Sequence, residues 1–187
     1  MLCLLNGNRI YQRVNNQAAI DRNYRASGAS YRPFRDSELA NRHTSQINSN
    51  TVSAEEFPWK STQEGGPNAY VFPATQAEQN SQGGTIGGAY SHNDINYGDF
   101  FRITFTGSPF GPYCSALFSK NPDNSICGKK TSTLFGTQGV NVANFAYQVV
   151  KSGALPYAFM HVAGPNKGKI TKRLEGVEVQ PEESAEQ

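Results

Sequence analysis

A loop-rich globular domain that mixes short helices with short strands follows from three features of this sequence. First, its 187 residues hold 18 Gly, 11 Phe and 9 Tyr with 17% charged side chains. That is enough aromatic area for a modest core and too little charge for a disordered chain. Second, Asp99–Phe105 (DFFRITF) alternates cleanly, with Phe101, Ile103 and Phe105 on one face and Arg102 and Thr104 on the other, the period of a strand. Third, Asn16–Ala26 (NQAAIDRNYRA) sets Ala18, Ala19, Arg22, Arg25 and Ala26 at helical spacing before Gly28, a helix with its stop signal.

The remaining elements follow in order. Residues 9–14 suit a short strand. Arg22 and Arg25 share one face of the first helix, and Arg32 and Arg35 follow in a loop around Pro33. Ser37–Gln46 suits a second short helix, and 47–53 is a polar linker. Pro58 disfavours helical geometry at Phe57, so Glu55 and Glu56 fall on a turn or strand end, with Phe57 and Trp59 as core anchors. Gln63–Pro67 is a loop whose glycines let backbone approach a ligand closely. Ala69–Phe72 reads as a strand stopped by Pro73. Thr75 caps a short helix (TQAEQNSQ) in which Glu78 holds the capping-box position. Gly83–Tyr90 lacks the GK[ST] of a phosphate-binding loop, and its small residues suit close helix packing.

Beyond Gly107–Gly111, a turn, Cys114 and Cys127 bracket strong turn chemistry. A disulfide and two unlinked thiols both remain open there, and no cysteine spacing suggests zinc. Residues 140–150 fit helix or strand, Leu155–Val162 a core strand, and Asn166–Lys169 a hairpin turn into Ile170–Val179. The end of the chain is acidic and expected to be disordered.

Charge is uneven. Residues 1–52 hold seven arginines against three acids, whereas 53–92 hold Glu55, Glu56, Glu64 and Glu78 against Lys60 alone. The net +2 excludes a global polycation. Carboxylates beside guanidinium groups are what metal-assisted phosphodiester chemistry needs, one set holding a cation or taking a proton and the other holding phosphates. Any single arginine reads most simply as a solvated face and Glu78 as a helix cap; the seven arginines together point to phosphate. The opening MLCLL is shorter than the roughly 7–15 apolar residues of a signal-peptide core. No stretch reaches the roughly 18 apolar residues of a membrane span. The chain then stays inside, is delivered by other means or is one domain of a longer secreted protein, and the expectation is secretion or extracellular delivery.

The central stretch resembles the NucA/NucB-type deoxyribonuclease domain, in its fungal variety. The resemblance rests on Glu55-Glu56-Phe57-Pro58, Gln63-Glu64-Gly65-Gly66, Gln79-Asn80-Ser81-Gln82-Gly83-Gly84 and Gly98-Asp99-Phe100-Phe101-Arg102-Ile103, in that order, over about residues 53–105. It implies an α+β fold in which a small antiparallel sheet packs against short helices. The chain then divides into an Arg-rich part (1–52), a nuclease-like core (53–107), a C-terminal strand and loop extension of the same domain (108–179) and a tail (180–187). It also implies a metal-dependent, largely sequence-nonspecific endonuclease. Carried over by position, Glu55 is the base that activates water, Glu56 supports it, Glu64 sits in the site, and Asn80 with Glu64 binds Mg²⁺ or Mn²⁺. Arg22, Arg25, Arg32 and Arg35 are the phosphate-binding candidates, and His92 or His43 is an alternative base. The expected partner is DNA, or RNA, with no membrane and with an inhibitor protein left open. One departure stands out: the bacterial pattern begins Asp-x-Asp-Glu, and here Ser53-Ala54-Glu55-Glu56 lacks the first acid and lengthens the second. The alternatives are a catalytically weakened relative that binds nucleic acid or another polyanion, and a non-enzymatic secreted interaction or toxin module.

Overall fold

Two antiparallel sheets with short helices set against them make up the described chain, an α+β arrangement with long loops. The computed structural model describes residues 9–35, 48–104, 112–117, 119–123, 125, 145–152, 155–162 and 166–173. Strands β1 (Ile10–Gln12) and β4 (Phe100–Arg102) form the smaller sheet, with Tyr11 opposite Phe101. The larger sheet sets β2 (Ser53–Phe57), β3 (Tyr70–Ala74), β5 (Tyr147–Ser152), β6 (Leu155–His161) and β7 (Ile170–Arg173) side by side in that order. Three helices, α1 (Gln17–Ala26), α2 (Gln76–His92) and α3 (Pro112–Leu117), lie among the described residues, with 3₁₀ turns at Ala29–Tyr31, Pro33–Arg35 and Gly66–Asn68. Among them no helix is long and apolar enough to cross a membrane. The expected helix at 37–46, the Cys114–Cys127 pairing, His43 and the acidic tail lie outside the described residues.

The core joins both halves of the chain. Ala54 of β2, Val71 of β3, Tyr147 and Val149 of β5 and Phe159 of β6 meet Ala29, Phe34 and Phe145, all buried. Each fully buried Val or Phe side chain contributes about 1.5–3 kcal/mol relative to exposure. A second aromatic group fixes the smaller sheet to the end of β2. Tyr11, fully buried, packs on Phe57 at 5.7 Å, Trp59 at 6.4 Å and Phe101 at 6.0 Å between ring centroids. Phe57 and Trp59 are therefore the anchors their spacing suggested.

Local chemistry explains where the helices begin and end. In α1 the Asn16 side chain accepts from the Ala19 N–H at 2.9 Å, satisfying one of the orphan donors of the first turn. The chain leaves α1 through Gly28, whose φ is +83° and whose missing Cβ would sit 2.7 Å from Phe159 Cζ. Only glycine meets both conditions. At the start of α2 the capping box is complete: Thr75 Oγ1 accepts from the Glu78 N–H at 3.1 Å, and Glu78 accepts from the Thr75 N–H at 2.8 Å.

Four expectations are corrected. The short helix from Thr75 is the opening of a 17-residue helix that runs through Gly83, Gly84, Gly87 and Gly88. Those glycines do not serve close packing, since a Cβ on any of them would meet nothing within 4 Å among the described residues. Gly65 and Gly66 are crowded by protein rather than held open for a ligand: their missing Cβ atoms lie 2.4 Å from the Trp59 carbonyl oxygen and 2.7 Å from Asn23 Oδ1. β3 continues through Pro73, where the absent N–H is tolerated because β5 pairs with β3 only at Val71.

Candidate active site

β2 is the edge strand on which the site is built, and its pleat sends the two glutamates to opposite faces. Glu56 pairs with Val71 and shares the core face with Ala54. Glu55 pairs with Phe72 and shares the other face with Ser53, the side covered by α2. Two glutamines of α2 hold the strand there. Gln79 Nε2 donates to the Ala54 carbonyl at 2.8 Å and its Oε1 accepts from Ser53 Oγ, while the Gln82 amide, its nitrogen turned inward, donates to the Glu55 carboxylate. Between β2, α2, α1 and the loop at 59–61 lies a cleft of about 860 Å³, with Glu55, Glu56 and Asn80 in its lining together with Arg13, Arg32, Arg35 and Lys60.

Both carboxyls are pushed up to about 7. For Glu55 the cause is burial, opposed by the Glu56 backbone N–H, Lys60 and Gln82. For Glu56, only 4% exposed, burial again dominates, opposed by Ser27 and Lys60 and reinforced by the charge of Glu55. The hydrogen bonds around Ser27 say what this means for Glu56. Ser27 Oγ lies within reach of the Tyr24 carbonyl (3.0 Å), the Ala29 N–H (3.2 Å) and Glu56 Oε1. A hydroxyl has one hydrogen and two lone pairs. If Glu56 is protonated, it donates to Ser27, Ala29 donates to Ser27, and Ser27 donates to Tyr24, so every group is satisfied. If Glu56 is ionised, one hydrogen has to serve both Tyr24 and the carboxylate. The protonated form of Glu56 is thus the one in which all three hydrogen bonds at Ser27 are made, and Glu55, less deeply buried on the α2 side, is the carboxyl more open to the cleft.

Of the phosphate-binding candidates, Arg32 and Arg35 line the cleft, whereas Arg22 and Arg25 are exposed on α1 and do not. Glu64 is also outside the lining. Its carboxylate accepts the Gln12 N–H at 3.2 and 3.3 Å, and its charge, after burial, helps to raise Tyr11 to about 12 and Tyr90 as well. His92 is exposed in the last turn of α2, away from the lining. Asn80 is exposed on α2 and accepts from Gln76 Nε2 at 2.9 Å.

Arg13, Gln82 and Tyr97 are among the lining residues that the sequence reading did not assign to the site. In the sequence Arg13 is one of the seven arginines of residues 1–52 and part of a possible strand, with nothing to single it out. The meeting of β1 with the loop after α2 brings it here, a contact that no local pattern records.

Among the described residues no group of three or more His, Cys, Asp or Glu side chains stands together to hold a metal. The donors present are oxygens, the Glu55 carboxyl and the Asn80 amide carbonyl, and a hard cation such as Mg²⁺ keeps several waters and needs only one or two such ligands. The donor chemistry therefore fits Mg²⁺ or Mn²⁺ and does not fit a site closed by protein ligands alone.

A protein-family model described as Deoxyribonuclease NucA/NucB matches residues 5–104. No curated protein and no solved structure matches the chain.

Proposed function

The chain belongs to the deoxyribonuclease NucA/NucB family, and from that premise we propose that it is a metal-dependent, largely sequence-nonspecific endonuclease that hydrolyses DNA phosphodiester bonds in the β2–α2 cleft. The observation that supports this most is the company of Glu55: a half-buried carboxyl raised to about 7, lining one cleft with Asn80 and with Arg32 and Arg35. A base works best when its pKa lies near the working pH, and burial has moved Glu55 into that range.

In this reading Glu55 takes the proton of the attacking water. Glu56, hydrogen-bonded to Ser27 on the core face of β2, supports the strand behind it. Gln82 holds the Glu55 carboxyl in place, and Arg32 and Arg35 hold phosphates flanking the scissile bond. Asn80 would hold the cation. A bound Mg²⁺ or Mn²⁺ supplies positive charge for the phosphate oxygens. Glu64 is left out of the cation site, because it does not line the cleft.

A second reading is supported by Ser53, which stands where the bacterial pattern has an acid and whose hydroxyl is committed to Gln79. A catalytically weakened relative would bind nucleic acid without cutting it. Incubating supercoiled plasmid with the protein in Mg²⁺, in Mn²⁺ and in EDTA separates the two. Metal-dependent nicking that disappears in Glu55→Gln supports the nuclease. Salt-sensitive binding with no nicking under either metal supports the binder.

A further inference from the structure

We propose that Tyr97, backed by Arg13, is a stacking platform for an unpaired nucleobase, so that the cleft accepts single-stranded DNA in preference to duplex. This rests on the nuclease reading and names the substrate class of that same cleft.

The platform is a stack of three side chains. The Arg13 guanidinium lies between two tyrosines, its carbon 4.6 Å from the centroid of Tyr90 and 4.4 Å from that of Tyr97. Tyr90 is buried and anchored by an edge contact with Phe101 at 5.4 Å between centroids and by the Ser61 hydroxyl at 2.9 Å. Tyr97, at the other end, lines the cleft and remains 48% exposed although Arg13 covers one of its faces. With Arg13 over one face, that exposure leaves ring surface of Tyr97 turned to the cleft. An open aromatic face in a cleft with arginines is what a base needs: stacking holds the ring while the cations hold the backbone.

The platform is rigid. Tyr97 belongs to the loop between α2 and β4, and Arg13 clamps that loop three times. The Arg13 N–H donates to the Asp99 carbonyl at 2.8 Å, its carbonyl accepts from the Gly98 N–H at 3.0 Å, and its guanidinium donates to the Ile95 carbonyl. The Asn96 N–H to Asp99 Oδ2 bond, 2.7 Å, closes the same loop. Little side-chain or loop freedom is left to lose when a base docks. In duplex DNA each base face is already stacked on its neighbours, so only an unpaired base presents a face to Tyr97.

A single-stranded oligonucleotide carrying 2-aminopurine, bound by the full chain in EDTA at low salt, tests this against a hairpin duplex of the same sequence. Fluorescence should be quenched on binding to the parent and to Tyr97→Phe, which keeps the ring. Tyr97→Ala and Tyr97→Leu, each checked for parental thermal stability, should weaken single-strand affinity by about tenfold, the scale of losing one stacked base. Their duplex affinity should change less than twofold. Equal losses on both forms, or none, overturn the platform even if plasmid nicking is intact. Absence of binding to either form, together with absence of nicking, overturns it along with the nuclease reading.

Discussion

Glu56→Gln replaces the most deeply buried carboxyl of the site with a group that cannot ionise. Its folded pKa of about 7 stands above the ordinary 4.5, so the folded chain keeps a proton that the unfolded chain has released between those values. A raised carboxyl favours the folded state in full below pH 4.5, and that contribution is lost as pH rises through 7. At about 1.4 kcal/mol per pH interval, the loss for one such group approaches about 3 kcal/mol. The substituted amide would keep the hydrogen bond, since it donates to Ser27 as the protonated acid does. The variant should therefore match the parent at pH 5 and exceed it by about 2–3 kcal/mol at pH 8. For a chain of this size that corresponds to a Tm gain of about 5–10 °C. Urea denaturation of both proteins at pH 5, 6, 7 and 8 measures it. A parent whose stability is flat or rises over that range refutes the reasoning, as does a pH-independent offset between the two proteins.

The remaining predictions concern rate and backbone. With Glu55 as base, kcat/KM for nicking should rise about tenfold per pH interval below 7 and level off above it; a flat profile from pH 5.5 to 8 points to another base. Gly88→Ala, in the interior of α2 with open space around it, should stabilise the protein by about 0.5–1 kcal/mol in chemical denaturation. Gly28→Ala should destabilise by about 2–3 kcal/mol, since strain at positive φ is joined by the clash with Phe159. Gly168→Ala has the same φ of +83° but meets nothing within 4 Å, so a smaller loss there isolates the clash; equal losses would show that backbone strain alone decides.

Local signals in the sequence were reliable where local chemistry decides. Helix α1, ended at Gly28, the capping box of Thr75 and Glu78, β3 and β6 could all be read from spacing and caps. The extended placement of Glu55 and Glu56 followed from Pro58 alone. Misreadings arose where the partner is distant in sequence. Glycines in α2 suggested packing because helices rarely tolerate four without a reason, yet the helix is held by its cap, by Tyr90 and by Gln79 and Gln82 on β2. Asp99–Phe105 alternates over seven residues, but β1 offers partners only to Phe100–Arg102, and Phe100 is left 70% exposed. Within the site, Glu55, Asn80, Arg32 and Arg35 were legible as residue types in order. The opposite facing of the two glutamates, the hydrogen bond between Ser27 and Glu56 and the entry of Arg13 depend on strand register and loop closure, which sequence spacing does not encode.

The family match ends at residue 104, but among the described residues four of the eight in the core cluster of the larger sheet, Phe145, Tyr147, Val149 and Phe159, come from beyond it. The unit of inheritance and the unit of folding are therefore not the same length in this protein. A chain shortened to the matched stretch would keep every cleft residue named above and lose the strand that covers Val71 and Phe34. Its cleft would be intact on paper and unsupported in solution.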